Sequence, residues 1–152
     1  MASPAFPPPG TWQAKLANQM GNLHTVVYRL SGGRFGRKMP NGAPVLFLEH
    51  VGRKSGQVRT APLIYIEDGQ KLVIAASRGG SDAPPAWWLN LRDAGRGTVR
   101  FNGETREVVP RLASEAERGS YWPRLNEVWP DYDEYQTRTE RKIPVIVLEP
   151  AA

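Results

Sequence analysis

One short segment of the chain combines glycines, cations and a hydroxyl group in a pattern that suits anion binding. The segment, called the basic turn, consists of Gly52, Arg53, Lys54, Ser55 and Gly56, and Arg59 follows it. A turn bracketed by glycines can point successive backbone N–H groups at one spot, and such a nest binds anions. Arginine adds a two-pronged grip on phosphate or carboxylate. The spacing of a Walker phosphate loop is absent, and an ordinary solvated hairpin turn is the alternative.

A second segment ends a predicted strand in small residues and glycines. It consists of Ala75, Ala76, Ser77, Arg78, Gly79 and Gly80, and residues 77–80 are called the glycine turn. Small side chains let a flat ring approach the backbone closely. Ser77 and Arg78 would lie at the mouth of such a site. A tightly packed core strand that ends in a glycine turn is the alternative.

Two groups of aromatic residues are the remaining candidates. Trp87 and Trp88 are adjacent, and neighbours on a helix point about 100° apart, so one can be buried while the other lines a pocket. Trp129, Tyr132 and Tyr135 are spaced by three, which predicts one helical face. A phenol can hydrogen-bond an acceptor oxygen or donate a proton. Both groups are also typical of a hydrophobic core, and the residues alone leave that alternative open.

The composition excludes several classes of enzyme. The 152 residues include no Cys, so disulfides, thiolate metal sites and Cys nucleophiles are excluded. The histidines are His24 and His50 alone, which excludes a multi-histidine metal site and argues against a histidine triad. No metal is predicted. If the chain is an enzyme, we expect a bound cofactor to supply the difficult chemistry.

The positive charge is concentrated in the first part of the chain. The formal net charge is +5, and the one acid within residues 1–60 is Glu49. Such a local excess indicates an anionic partner: a phosphorylated or carboxylated ligand, a nucleic acid or an anionic lipid. A solvated basic surface without a partner is the alternative.

Short apolar runs and turn signals predict the elements that position these residues. Strands are expected at residues 45–48, 63–66, 72–76, 99–101, 105–109 and 143–148, the last at a sheet edge that tolerates Pro144. Asp68–Gly69 and Asn102–Gly103 predict tight hairpins. About six strands joined mostly by tight turns favour a mainly β fold, a small and mostly antiparallel barrel with flanking helices.

Helices are predicted after the two main stretches of strands. Prolines precede a short helix over residues 86–91. Ser114 and Glu117 form a capping box that opens another helix, with a kink or restart at Pro123. Residues 131–139 are expected to add one or two helical turns.

The N-terminal part has its own composition. Residues 1–11 are rich in proline and predict a flexible arm. From Trp12 to Leu30, apolar residues recur at spacings of three and four, which predicts an amphipathic helix that packs on a single domain over residues 12–150. The alternative is a helix on a membrane surface. Residues 1–10 lack the pattern of a secretory signal, so we expect a cytoplasmic protein.

Taken together, the candidate segments resemble a known family. In chain order they are the basic turn with Gln57 and Arg59, then Pro62 and Leu63, residues 75–80, residues 87–91, residues 121–123, Trp129 and Pro130 with Tyr132 and Tyr135, and Ile143 with Pro144. This combination is similar to the deazaflavin-dependent nitroreductases of the actinobacterial F420H2-dependent quinone reductase type, in the split β-barrel flavin-reductase group. The likeness extends from about Trp12 to Pro150.

The resemblance implies a cofactor and its binding residues. The cofactor is coenzyme F420, a deazaflavin with a phosphate and a glutamate tail, and the fold is a six-stranded, mostly antiparallel split β-barrel. The basic turn would hold the phosphate, and residues 75–78 would lie beside the ring. The implied cofactor-binding set is Arg53, Lys54, Ser55, Arg59, Thr60, Pro62, Ala75, Ala76, Ser77, Arg78, Trp87, Trp88 and Asn90.

The reaction that the resemblance implies is hydride transfer from reduced F420 to a quinone or a nitro compound. The protein then has to orient the ring, exclude water and stabilise charge on the acceptor oxygen. The substrate side would be lined by Ser77, Trp129, Tyr132 and Tyr135. Ser77 and Tyr132 are expected to hydrogen-bond the acceptor oxygen, and Tyr135 to serve a lid or proton path.

Two positions depart from the nitroimidazole-activating member of that family. That member has Lys where Arg78 stands, and the exchange preserves anion binding. It has Tyr where Trp129 stands, so this chain lacks a hydroxyl group and carries a bulkier ring there. We therefore expect quinones to be better acceptors than bicyclic nitroimidazoles.

Three alternatives stay open. An oxidoreductase of the same fold can bind FMN in place of F420. A small basic barrel can bind single-stranded nucleic acid, although the cations cluster at one turn and do not track along a groove. The third is a peripheral membrane protein held at the inner face of the cell membrane by its N-terminal helix. A monomer and a homodimer are both compatible with the sequence.

Overall fold

The fold is described by a computed structural model for residues 42–151. The strands are β1 (Val45–Val51), β2 (Val58–Ile64), β3 (Ile66–Asp68), β4 (Lys71–Ala75), β5 (Gly97–Phe101), β6 (Glu104–Leu112) and β7 (Val145–Pro150). The helices are α1 (Ala86–Ala94), α2 (Glu115–Val128) and α3 (Tyr132–Thr137). The predicted arm and the predicted N-terminal helix lie outside the described residues.

All seven strands form one antiparallel sheet that curls into a barrel. The strand order is β2-β1-β5-β6-β7-β4-β3. The first and last strands in that order are consecutive in the chain, with Tyr65 alone between them. The two ends of the sheet must therefore approach each other, and the Tyr65 N–H donates to the Pro44 carbonyl at 3.4 Å where the chain turns. The predicted mainly β, antiparallel barrel is confirmed.

The number of strands differs from the prediction because one apolar run serves two strands. We predict a single strand over residues 63–66. In the structure Leu63 pairs with Leu46 of β1, whereas Ile66 pairs with Val73 of β4. The chain changes partner at Tyr65, so the barrel has seven strands where six were expected.

The alternation of side chains along the strands builds two apolar layers. In β4, Leu72 and Ile74 point into the barrel, and Val73 and Ala75 point outward. The inner layer also contains Trp88 and other residues of α1. The outer layer is covered by α2 and α3. The helix α1 thus packs on the inner layer of the sheet, and α2 and α3 pack on the outer layer.

The short-range turn and cap predictions are confirmed. Asn102 and Gly103 both have positive φ, 49° and 77°, as the mirror-image hairpin turn between β5 and β6 requires. Gly69 also has positive φ between β3 and β4. The Ser114 hydroxyl accepts from the Glu117 N–H at 3.2 Å, and the Glu117 carboxylate accepts from the Ser114 N–H at 2.9 Å.

The structure narrows one prediction about proline and contradicts another. The helix α2 continues through Pro123, so it does not restart there. The strand β7 is an interior strand, paired with β4 and β6, and Pro144 precedes it. The barrel surrounds β7 with neighbours on both sides, so its N–H groups are needed and the proline lies before them.

Candidate active site

The basic turn connects β1 to β2 and is closed by its own hydrogen bonds. The Gly52 N–H donates to the Gln57 carbonyl at 2.8 Å, and the Gly56 N–H donates to the Gly52 carbonyl at 2.8 Å. The Ser55 hydroxyl accepts from the Gln57 N–H at 3.3 Å. Several N–H groups of the turn are thus used internally. The anion-binding capacity of the turn therefore lies more in its side chains than in a nest of N–H groups.

A side chain of α1 holds Arg53 in place. The Asn90 Oδ1 accepts from the Arg53 backbone N–H at 3.1 Å and from the Arg53 Nη1 at 3.0 Å. The Asn90 Nδ2 lies 3.1 Å from the Nδ1 of His50, on β1. Asn90 and His50 are both buried, whereas the Arg53 side chain reaches an exposed surface. One end of Arg53 is therefore fixed, and the rest of its guanidinium faces solvent.

None of the cations of the basic turn has a carboxylate partner among the residues that the structure describes. Within residues 42–151, no ion pair is formed by Arg53, Lys54 or Arg59. The paired cations of that region are Arg92, Arg96, Arg100, Arg106, Arg111, Arg138 and Lys142. Three exposed cations without a carboxylate partner concentrate positive potential at one end of the barrel.

The predicted cofactor residues of β2 divide between the two faces of the sheet. Residues directly opposite in an antiparallel pair share a face. Arg59 lies opposite His50, on the face that points into the barrel. Thr60 and Pro62 lie opposite Glu49 and Phe47, on the outer face. The structure therefore groups Arg59 with Asn90 and Arg53, and it does not bring Thr60 or Pro62 to that side.

The glycine turn follows β4 in a left-handed conformation. Arg78 has φ 47°, and Gly79 and Gly80 have φ 62° and 83°. A left-handed backbone conformation is energetically unfavourable for a residue with a Cβ atom, so the backbone of Arg78 is strained. The two preceding predicted cofactor residues, Ala75 and Ala76, are buried in the outer and inner layers. A ligand at this place would meet the backbone of the turn, with Ser77 and Arg78 at its start.

Two arginines hold the glycine turn together. Arg141 donates to the carbonyls of Ala76 (3.2 Å), Ser77 (2.8 Å) and Ser81 (2.7 Å). Arg138 donates to the carbonyl of Gly79 at 3.2 Å. These bonds cross more than fifty residues of sequence and fix the backbone that presents Ser77.

The glycine turn packs directly on α3. A Cβ atom built on Gly80 would lie 2.5 Å from the Tyr135 carbonyl oxygen and 3.0 Å from Tyr135 Cα. No side chain fits in that space, so glycine is required at position 80 for this close approach as well as for its positive φ. Ser77 and Tyr135, both predicted to face the acceptor, thus belong to one neighbourhood.

The two adjacent tryptophans differ in burial, as their spacing predicts. Trp88 is buried in the barrel core, whereas Trp87 is partly exposed and packs against the same core from its edge. Residues 81–85 join the glycine turn to α1, and Asn90 of α1 contacts the basic turn. The helix α1 therefore connects the two candidate segments.

The three aromatic residues at spacing three lie close together but not on one helix. Trp129 ends α2 with non-helical φ −141°, because it precedes Pro130, which disfavours the helical conformation of the residue before it. Tyr132 and Tyr135 belong to α3, with ring centroids 6.1 Å apart. The Trp129 Nε1–H donates to the Tyr135 hydroxyl at 3.2 Å.

The tyrosines of α3 are core residues with polar ends. Tyr132 and Tyr135 are 4% and 6% exposed in the outer layer. Burial raises the pKa of Tyr132 well above its ordinary value, with a smaller contribution from Tyr135. Tyr132 therefore keeps its proton at neutral pH and is uncharged. The Tyr135 hydroxyl accepts from Trp129, which leaves its own hydrogen free to donate.

Sequence inspection missed two groups that hold the candidate segments. In the sequence His50 is only a metal or triad candidate, and Arg141 has no predicted role. His50 follows Leu46 and Leu48 at strand spacing, which places it on the same buried face of β1. A histidine on a buried face needs a hydrogen-bond partner, and this is the local signal of its role. Arg141 stands just before an apolar strand, which is a weaker signal.

The described part of the chain offers neither a metal cluster nor a membrane-spanning helix. In residues 42–151, no three side chains of His, Asp or Glu are grouped so that they could hold a metal ion. None of the helices α1 to α3 has the length and apolar character needed to cross a membrane.

Sequence and structure are both similar to those of known reductases. A model of the F420H(2)-dependent quinone reductase family matches residues 20–150. An F420H(2)-dependent quinone reductase from Mycobacterium tuberculosis is 36% identical over 136 residues, 86% of this chain and 89% of the relative. The solved structure of the F420-H2 dependent reductase FDR-A matches with a TM-score of 0.64 and 33% identity, over 70% of this chain and 94% of that chain. A chain from a domain-swapped dimer matches with a TM-score of 0.67 and 28% identity, over 88% of this chain and 99% of that chain.

Proposed function

This chain belongs to the F420H(2)-dependent quinone reductase family, and we propose that it reduces a quinone at a site formed by the glycine turn, α1 and α3. The predicted dependence on coenzyme F420 and the split-barrel fold agree with the family and with the solved reductase. Bound F420H2 supplies a hydride, so the acceptor gains two electrons and needs one proton at its oxygen.

The observation that carries the proposal is the set of unpaired cations at the basic turn, one of which is anchored. Arg53 is fixed by two bonds to Asn90, and Lys54 and Arg59 add charge beside it. This arrangement suits an anionic phosphate and a carboxylate tail, because an arginine with a fixed geometry loses less side-chain freedom on binding. We assign Arg53, Lys54 and Arg59 to that role, with Ser55 as an additional hydroxyl.

The acceptor side is assigned to residues around the glycine turn. Ser77 and Tyr132 can donate hydrogen bonds to a quinone oxygen as negative charge develops on it. Tyr135 is assigned to the proton path, because its hydroxyl accepts from Trp129 and can donate onward. The bulk of Trp129 beside these groups favours a flat quinone over a bicyclic nitroimidazole.

The reaction is tested by mixing the purified protein anaerobically with F420H2 and a water-soluble naphthoquinone and following the return of F420 absorbance. We expect catalytic oxidation of F420H2 with the quinone and slower oxidation with a nitroimidazole. Replacing F420H2 by reduced FMN tests the alternative cofactor. Quinone reduction with reduced FMN but not with F420H2 would overturn the proposal.

The acceptor side is tested by removing one hydroxyl. Tyr132→Phe keeps the ring and its packing, and we expect kcat/KM for the quinone to fall about a hundredfold, as for the loss of one donor to a developing oxyanion. Ser120→Ala, which removes an exposed hydroxyl on α2, is the matched control. Equal kcat/KM for Tyr132→Phe and wild type would remove Tyr132 from the mechanism.

Assembly and membrane contact are proposals with separate tests. The solved neighbour in a domain-swapped dimer motivates a homodimer for this chain, and light scattering measures its mass in solution. A quinone acceptor motivates contact between residues 12–30 and lipid, since many quinones partition into membranes. Sedimentation with anionic vesicles should remove the full-length chain from solution, and equal sedimentation with and without vesicles would contradict that contact.

A further inference from the structure

His50 is a buried titratable group that the proposed reaction does not use. It is 6% exposed and lies on the barrel-facing side of β1, next to the basic turn. A buried imidazole is retained at a cost unless its nitrogens have partners. One partner is Asn90, which also holds Arg53.

The donors around Asn90 determine the orientation of its amide. The Arg53 N–H and the Arg53 Nη1 can only donate, so the group that faces them must be the Oδ1 of Asn90. The Nδ2 of Asn90 then faces the Nδ1 of His50 at 3.1 Å, and it too can only donate. The Nδ1 of His50 is therefore an acceptor, and the proton of the neutral imidazole lies on Nε2.

The charges near His50 favour this neutral form. Arg59 is its cross-strand partner on β2, and Arg53 and Lys54 lie in the adjoining turn. Glu49 is paired with Arg100 on the other face of the sheet. On α1, Arg92 and Asp93 pair with each other at 3.5 Å in solvent. Burial, and secondly the charge of Arg59, lower the pKa of His50 below 6.5.

We infer that His50 is a positioning residue of the F420 anion site: its neutral Nδ1 fixes the amide of Asn90, the amide fixes Arg53, and protonation of His50 releases Arg53. The inference rests on the proposed role of Arg53 in F420 binding.

Protonation of His50 brings two hydrogen-bond donors face to face. A hydrogen on the Nδ1 of His50 would face the Nδ2 hydrogens of Asn90. If the amide turned over to accept from His50, its Nδ2 would face the two donors of Arg53. Either arrangement loses at least one hydrogen bond, which corresponds to an affinity for F420 about tenfold weaker.

The test is an F420 fluorescence titration between about pH 8 and about pH 5, the range in which a histidine changes charge. Wild-type affinity should fall about tenfold toward acid pH, as expected from one lost hydrogen bond. His50→Asn places an oxygen acceptor where Nδ1 stands and does not titrate, so it should bind like wild type at pH 8 and change less at pH 5. His50→Leu has no acceptor and should bind weakly throughout. An acid-side loss in His50→Asn equal to that of wild type would overturn the inference.

A spectroscopic measurement is independent of the cofactor. Nitrogen NMR of imidazole-labelled protein should show the Nε2–H tautomer of His50 at neutral pH. The Nδ1–H tautomer would overturn the inference, even if the His50 variants failed to fold. Arg53→Ala separates the two proposals: if it leaves F420 affinity unchanged, the anion site itself is misplaced and the role of His50 falls with it. If Arg53→Ala weakens binding and His50→Leu does not, only the role of His50 is overturned.

Discussion

Arg141 holds the backbone that presents Ser77, and its removal should measure how much the glycine turn depends on it. Arg141→Ala removes three hydrogen bonds, to the carbonyls of Ala76, Ser77 and Ser81. The guanidinium is half-buried, so we take about 1 kcal/mol for each bond, below the range for fully buried charged donors. The free energy of unfolding should therefore fall by about 3 kcal/mol.

Urea unfolding followed by tryptophan fluorescence measures this loss. With a slope of about 2 kcal/mol per molar urea, the midpoint should fall by about 1.5 M. Arg141→Lys keeps the charge but has one donor nitrogen in place of three, so two hydrogen bonds are lost. Its free energy of unfolding should fall by about 2 kcal/mol. The quinone reaction should slow in both variants, because Ser77 is no longer held.

A matched control separates this clamp from the loss of any arginine. Arg124 donates to one carbonyl, that of Glu67, at 2.6 Å and is exposed. Arg124→Ala should cost less than about 1 kcal/mol. If Arg141→Ala destabilises the protein no more than Arg124→Ala does, the three bonds of Arg141 do not hold the turn, and the reasoning is wrong.

Two further predictions concern the glycine turn and the acid limit of stability. Gly80→Ala places a Cβ 2.5 Å from the carbonyl oxygen of Tyr135. It should lower the free energy of unfolding more than Gly69→Ala, where φ is also positive but the space is open and the loss should be about 1–2 kcal/mol. Equal urea midpoints for the two variants would refute the contact. Hydrogen bonds from Arg111 and from the N-cap hold the pKa of Glu117 at about 2, below its ordinary 4.5, so its contribution to stability is present above pH 4.5 and is lost as the pH falls toward about 2. Glu117→Gln should unfold at lower urea near neutral pH and lose less stability than wild type between those two pH values, and parallel pH profiles would contradict this.

The features that could be predicted from the sequence are those determined by neighbouring residues. The hairpin turn depends on the positive φ values that Asn102 and Gly103 readily adopt. The capping box of α2 depends on Ser114 and Glu117, which are three residues apart. The same is true of the basic turn, whose glycines and cations are consecutive. Local patterns of this kind are visible without knowledge of the fold.

The features that could not be predicted depend on distant pairing. The bend at Tyr65 is invisible in a continuous apolar run, because it follows from the pairing of Leu63 with β1 and of Ile66 with β4. The interior position of β7 has the same origin. The residues near positions 65 and 145 give no indication of which strands will pair with these segments.

The candidate site shows the same division. The residues proposed to touch F420 are predicted from motifs, whereas the supporting roles of Asn90, His50 and Arg141 are not. Asn90 is separated from His50 by 40 residues, and Arg141 from Ala76 by 65. Such supporting contacts appear only when the barrel is closed and α1 and α3 are in place.

The central claim is that the unpaired cations of the basic turn bind the anionic part of F420. The most direct test is the dissociation constant of F420 at low and moderate salt for wild type and for Arg53→Ala/Lys54→Ala. Arg124→Ala/Lys142→Ala removes the same charges from the α2 side and is the control. We predict affinity at least about tenfold weaker and a smaller salt dependence in the basic-turn variant alone. Equal affinity and equal salt dependence in the two double variants would contradict the claim.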